Sequence, residues 1–190
     1  NLFGKVHVHG IDEVIVKRYF KAKNDPVNAY AASLVFSGKG KADESIEGVS
    51  HIDSPYRRLL LGEMLVNARR YNEAIATLRD SNDPTARYFL AKAYEGSCNR
   101  EMAIATLKAL IPYGGSYPEI LHRLAMLLGR MGDEGQGFEY LGRYYLEIGR
   151  YDLARSNFEK AISKYGINSY QAREVMKLMD SMEPKKDVKK

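Results

Sequence analysis

Histidine, cysteine and glycine are where chemistry would show first. His7 and His9 form an H-x-H pair. Alternate strand positions can share a metal ion, but two ligands make a poor site and no nearby cysteine completes it. The pair reads as exposed histidines at the N-terminal edge, and His51 and His122 stand alone. The chain contains no H-E-x-x-H and no G-x-x-x-x-G-K-[ST], so neither a zincin helix nor a phosphate loop is written in it. Cys98 is the single cysteine. It excludes an internal disulfide and, with no histidine near it in sequence, reads as a packed or idle thiol rather than a nucleophile. The glycines of the stretch from Gly132 through Gly135 to Gly137 follow no strand, so a dinucleotide turn is not expected. Helix end, turn and close helix contact account for them. No acid, base and nucleophile cluster, so the expectation is a chain that is not an enzyme and holds no metal or cofactor.

Composition narrows the class further. With 190 residues, 45% hydrophobic and 28% charged, the chain has the make-up of an ordinary folded domain or one repeat array. No apolar run is long enough to cross a membrane. The formal charge of +5 is mostly local. Lys185, Lys186, Lys189 and Lys190, less Asp187, give a basic tail over 184–190, expected to be frayed and solvated. No basic stripe with interleaved aromatics accompanies it, so nucleic acid is not the expected partner. The chain begins at Asn1 rather than Met and carries no signal peptide. The expectation is therefore a piece of a longer protein.

The elements that would position any site are announced by proline. Asp25-Pro26, Ser54-Pro55, Asp83-Pro84 and Tyr117-Pro118 recur at spacings of 29, 29 and 34 residues. Proline suits the first turn of a helix, where its missing N–H had no partner, and Asp and Ser before it are good caps. Seven residues after each proline stands a small residue: Ser33, Gly62, Ala91, Ala125. Ten after it stands a large apolar one: Phe36, Leu65, Tyr94, Leu128. Nineteen after it the residue is small again (Ser45, Ala74, Ala103, Gly137), and four beyond that it is apolar (Val49, Leu78, Leu107, Leu141). Small residues let two helices approach and large ones fill the space beside them. A repeated helical hairpin is the expected unit. The pattern predicts eleven helices: a leading one over 11–23, pairs 26–37 with 42–50, 55–68 with 71–80 and 84–96 with 99–111, then 118–131, 135–148, 151–165 and 168–182. Gly62 and Ala74 should meet where two helices touch. Val175, Leu178 and Met179 form the apolar stripe of a last, capping helix at 168–183.

Within this pattern the best copy is Phe138-x-x-Leu141-Gly142-x-x-Tyr145, followed by Gly149-x-Tyr151, Ala154, Phe158 and Ala161. Leu61-Gly62, Tyr71, Ala74-Ile75 and Leu78 form a second. These residues resemble the tetratricopeptide repeat. The resemblance implies an all-α solenoid of helical hairpins over 25–167 that holds a protein or peptide. The copies overlap at 135–148, which would be second partner to 118–131 and first partner to 151–165. Tyr71, Tyr94, Tyr145 and Tyr151 fall on the family's core positions, whereas Tyr30 and Tyr88 do not. Positions two, five, nine and twelve of each first helix line the family's concave face. Here the fifth and ninth are Tyr30 and Leu34, Leu59 and Glu63, Tyr88 and Lys92, His122 and Met126. That face mixes aromatic, aliphatic and a few charged groups, which suits an apolar or extended segment more than an anionic tail. No ninth position holds the Asn that the family's clamp for a C-terminal carboxylate uses.

The order of parts carries a narrower resemblance. Val8-His9-Gly10-Ile11-Asp12-Glu13-Val14 through Arg18 leads into a helix before the first repeat, and Gly137 to Leu146 stands near the other end. This looks like the C-terminal repeat domain of bacterial gluzincin metallopeptidases that carry tetratricopeptide repeats. That family places the domain in the periplasm or cell envelope, against its own protease domain, where it helps recruit outer-membrane clients. Residues 1–24 would then connect to a preceding catalytic domain, and zinc would belong to that domain. The alternative is a free-standing scaffold or adaptor.

Overall fold

Proline and the small–large alternation have the local effect their chemistry dictates. The computed structural model describes residues 26–182. The expected helix at 11–23, His7, His9 and the basic tail lie outside the described residues. Ten α-helices follow one another among the described residues: α1 (Pro26–Gly38), α2 (Ala42–Ser50), α3 (Arg57–Asn67), α4 (Tyr71–Leu78), α5 (Pro84–Gly96), α6 (Arg100–Lys108), α7 (Glu119–Arg130), α8 (Glu134–Glu147), α9 (Tyr151–Tyr165) and α10 (Tyr170–Met182). A 3-10 turn, Ile111–Tyr113, sits between α6 and α7. The described residues contain no strand, and the fold is all-α. Pro84 occupies the first turn of α5 while the Asp83 carboxylate accepts the Ala86 N–H at 2.8 Å. Pro55 and Pro118 instead stand just ahead of α3 and α7.

The hairpin turns repeat as closely as the helices. Gly40, Arg69, Cys98 and Gly132 each fall fourteen residues after a proline, and all four have left-handed backbone, as does Gly149 (φ between 59° and 85°). At each, the next residue's N–H reaches back to the large apolar position: Lys41 to Phe36, Arg70 to Leu65, Asn99 to Tyr94, Asp133 to Leu128 and Arg150 to Tyr145, at 2.8–3.0 Å. A second bond closes each turn, such as Arg69 N–H to the Val66 carbonyl at 3.1 Å. This is the Schellman cap, which satisfies the orphan carbonyls of a helix end.

The chain divides into two compact units, with the boundary inside α6 at Ala103 and Ile104. In the first, α1 packs on α2, α3 on α4, and the first helices α1, α3 and α5 lie side by side. Small positions meet as the pattern requires: the buried Ser45 hydroxyl on α2 donates to the Ser33 carbonyl on α1 at 2.9 Å. Gly62 faces the next helix, and the atoms nearest to it are those of Leu78, one turn beyond Ala74. A Cβ on Gly62 would run into the Leu78 side chain, four residues past Ala74. Leu78 is the residue that grips α3, because its longer side chain reaches the groove that glycine opens. Leu65, Val66, Ala74, Leu78, Phe89 and Leu90 form the core of this unit.

In the second unit α8 packs on both α7 and α9, which is the dual role expected of it. On one side a Cβ at Gly137 would lie 3.3 Å from the Ala125 carbonyl oxygen of α7. On the other, a Cβ at Gly142 would lie 2.6 Å from the fully buried Phe158 ring of α9. Helix α10 covers the end: Val175 is fully buried against Ala154 and Phe158, and Leu178 and Met179 pack partly around them.

Candidate functional site

Six of the eight residues assigned to the groove stand on α1, α3 and α5, the helices that lie side by side. Tyr30 and Glu63 meet: the phenol donates to the Glu63 carboxylate at 2.7 Å, tying α1 to α3. Burial pushes the Glu63 carboxyl above the usual carboxylate range, against the opposing pull of the Tyr30 hydrogen bond and the Lys92 charge. The Tyr30 phenol is raised above the ordinary tyrosine range by burial, then by the Glu63 charge and the shared hydrogen bond. Lys92, on α5, holds its ammonium 5.0 Å over the Phe89 ring. Leu34 is half-buried against the α1–α3 core. Tyr30, Leu34, Glu63 and Lys92 thus form a mixed, half-exposed row across three helices.

Leu59 and Tyr88 belong elsewhere. Both are buried, at 8% exposure, Leu59 in the main core and Tyr88 edge-on to Phe89 at 6.0 Å between ring centres. Tyr88 was expected off the core pattern. It lies inside instead, because burying a large aromatic ring removes more apolar surface from water than exposing it would. Tyr151 errs the other way: expected in the core, it is 59% exposed at the start of α9. Tyr71 is structural as expected, its ring lying where Gly96 leaves room.

The remaining two residues belong to the second unit. His122 is exposed and its ring lies 4.9 Å from that of Tyr144 on α8. Met126, 45% exposed, borders a cleft of about 340 Å³ between α7 and α8, walled by Ala125, Phe138 and Leu141 and floored by Gly129 and Gly137. Beyond it Glu139 takes the Arg143 guanidinium at 2.8 Å and the Tyr165 hydroxyl at 2.8 Å.

Three side chains on or beside these helices were not singled out from sequence. Val27 and Tyr56, at 74% and 63% exposure, occupy the second position of the same register that gave Tyr30 and Leu59. The register itself was the signal for them. Tyr144 had none, because its partner His122 is distant in sequence. Among the described residues no three His, Cys, Asp or Glu side chains lie close enough to hold a metal ion. No helix there is long and apolar enough to cross a membrane. Cys98 is exposed at its turn.

Comparison with known proteins agrees with the repeat reading at one place. Residues 141–163, the end of α8 and most of α9, match the family model "Tetratricopeptide repeat". No curated protein matches the chain. Among solved structures, a crystal structure of MamA is similar at 21% identity and TM-score 0.48, over 70% of this chain and 93% of that one. The crystal structure of YrrB, described as a TPR protein with an unusual peptide-binding site, is similar at 13% identity and TM-score 0.48, over 87% of this chain and all of that one.

Proposed function

We propose that the chain is a non-catalytic recognition domain whose α1/α3/α5 face receives an extended segment of another protein. The observation that carries this is the row of Tyr30, Leu34, Glu63 and Lys92. Its polar groups are fixed in place by one another and by Phe89 while remaining partly exposed. Preorganised polar groups among apolar ones lower the cost of ordering on binding. The tetratricopeptide match at 141–163 supports the same class of activity. In the second unit, His122 and Met126 beside the α7–α8 cleft would take an apolar side chain of the partner.

For setting, we propose the C-terminal part of a bacterial envelope zinc metallopeptidase. The resemblance of 8–18 and 137–146 motivates it, with outer-membrane clients or its own protease domain as partner and zinc held by that domain. A free-standing adaptor is the alternative, and the repeats themselves favour neither. An H-E-x-x-H helix encoded upstream of Asn1 supports the first setting; its absence from the complete gene rejects it.

The face is tested by selecting short peptides from a displayed library on the purified chain, then measuring their affinity by titration. Tyr56→Ala with Leu34→Ala should weaken the selected peptides by roughly tenfold or more, since anchors dominate such surfaces. Unchanged affinity in a variant that still folds rejects the face.

A further inference from the structure

The sign of the charge in this face says what kind of segment fits it. We propose that Glu63 is the acceptor for a cationic side chain, so that the partner presents Lys or Arg beside an apolar residue rather than an acidic stretch or a free carboxylate end. This rests on reading the α1/α3/α5 face as the binding face. Glu63 stands on the middle helix of the three, with Tyr30 on one flank and Lys92 on the other. The Glu63 side chain is itself largely withdrawn from water, and the Tyr30 phenol is fixed on it at 2.7 Å. A carboxylate in such a place loses hydration that one phenol and one neighbouring ammonium do not replace, and its raised pKa is the sign of that deficit. A second cation supplies what is missing, and an arriving peptide that excludes more water strengthens the pairing. An anion meets the opposite balance. Lys92 is already engaged with the Phe89 ring and with Glu63, so it offers a carboxylate little that is new. Tyr30 holds one carboxylate oxygen in a fixed direction, which prepares the other for the incoming donor.

The test uses short peptides capped at both ends, so that only side-chain charge differs, in pools carrying Lys, Arg, norleucine or Glu at one fixed site among varied apolar flanks. Lys and Arg pools should bind the full chain roughly tenfold more tightly than the norleucine pool, with Glu weakest. In Glu63→Gln, which keeps an acceptor for Tyr30, that preference should vanish at an unchanged melting temperature. In Lys92→Met, which removes the competing cation, it should grow. Equal binding of all pools, or preference for Glu, overturns the proposal while leaving the binding face standing. Absence of binding by every pool overturns both. If Glu63→Gln does not fold, the direction of the Lys92→Met effect decides.

Discussion

One arginine and one cysteine occupy positions that favour glycine. Arg69 and Cys98 adopt φ of 59° and 64° in turns where Gly40, Gly132 and Gly149 do the same work. Left-handed backbone costs a residue with a Cβ about 1–2 kcal/mol, partly offset because glycine has more freedom to lose on folding. Arg69→Gly and Cys98→Gly should therefore each raise stability by about 0.5–1 kcal/mol, read as a higher urea midpoint at unchanged slope. A second residue-scale effect concerns pH. Tyr30 and Tyr165 both donate to carboxylates, and burial, then those carboxylates, raise both phenols above their ordinary value. A folded-state pKa above the unfolded one gives stability that is whole below about pH 10 and is lost as pH rises through the folded value. The melting temperature should fall above that point. The Tyr30→Phe/Tyr165→Phe double variant should flatten the alkaline limb, which a thermal scan series shows directly.

At the scale of elements, the hairpins depend on glycines that face a large side chain in the next helix. A Cβ at Gly62 meets Leu78 and one at Gly142 meets Phe158, in both cases a residue sixteen positions on. Leu78 and Phe158 are fully buried and have nowhere to move. Gly62→Ala and Gly142→Ala should destabilise by about 1–3 kcal/mol through overpacking, although alanine is the better helix former. Gly129→Ala makes the contrast: no atom lies within 4 Å of its Cβ, and it should stabilise by up to about 1 kcal/mol. Equilibrium denaturation of the three variants side by side checks the sign of each. Capping follows the same logic, since Asp133 and Asn99 accept from Gln136 and Met102 at the starts of α8 and α6.

At the scale of the molecule, packing within each of the two units joins described helices that are neighbours or next neighbours in the chain. Loop closure is short at every step, so refolding should finish within milliseconds of dilution from denaturant, followed by far-UV circular dichroism in stopped flow. A dominant phase of seconds would contradict it. The two compact units each have their own buried set, Leu78 with Phe89 in one and Phe158 with Val175 in the other.

The sequence alone determined the all-α class, the approximate positions of the ten described helices, the period of the hairpins and the capping stripe of α10. These rest on local chemistry: proline before helices, small residues at fixed steps, and apolar residues one turn away. It also chose the register that put Tyr30, Glu63 and Lys92 in one row. What it could not separate was core from face at that register, because positions five and nine differ in burial according to how closely the next helix lies. Only the tertiary structure drew Leu59 and Tyr88 inside, left Tyr151 in water and set the Leu78 side chain against Gly62. The pairing of Tyr30 with Glu63 and of His122 with Tyr144 belongs to that same class of fact. Each needs two helices brought to contact distance, and the separation of their axes is set by all the side chains between them, not by either residue's own place in the repeat.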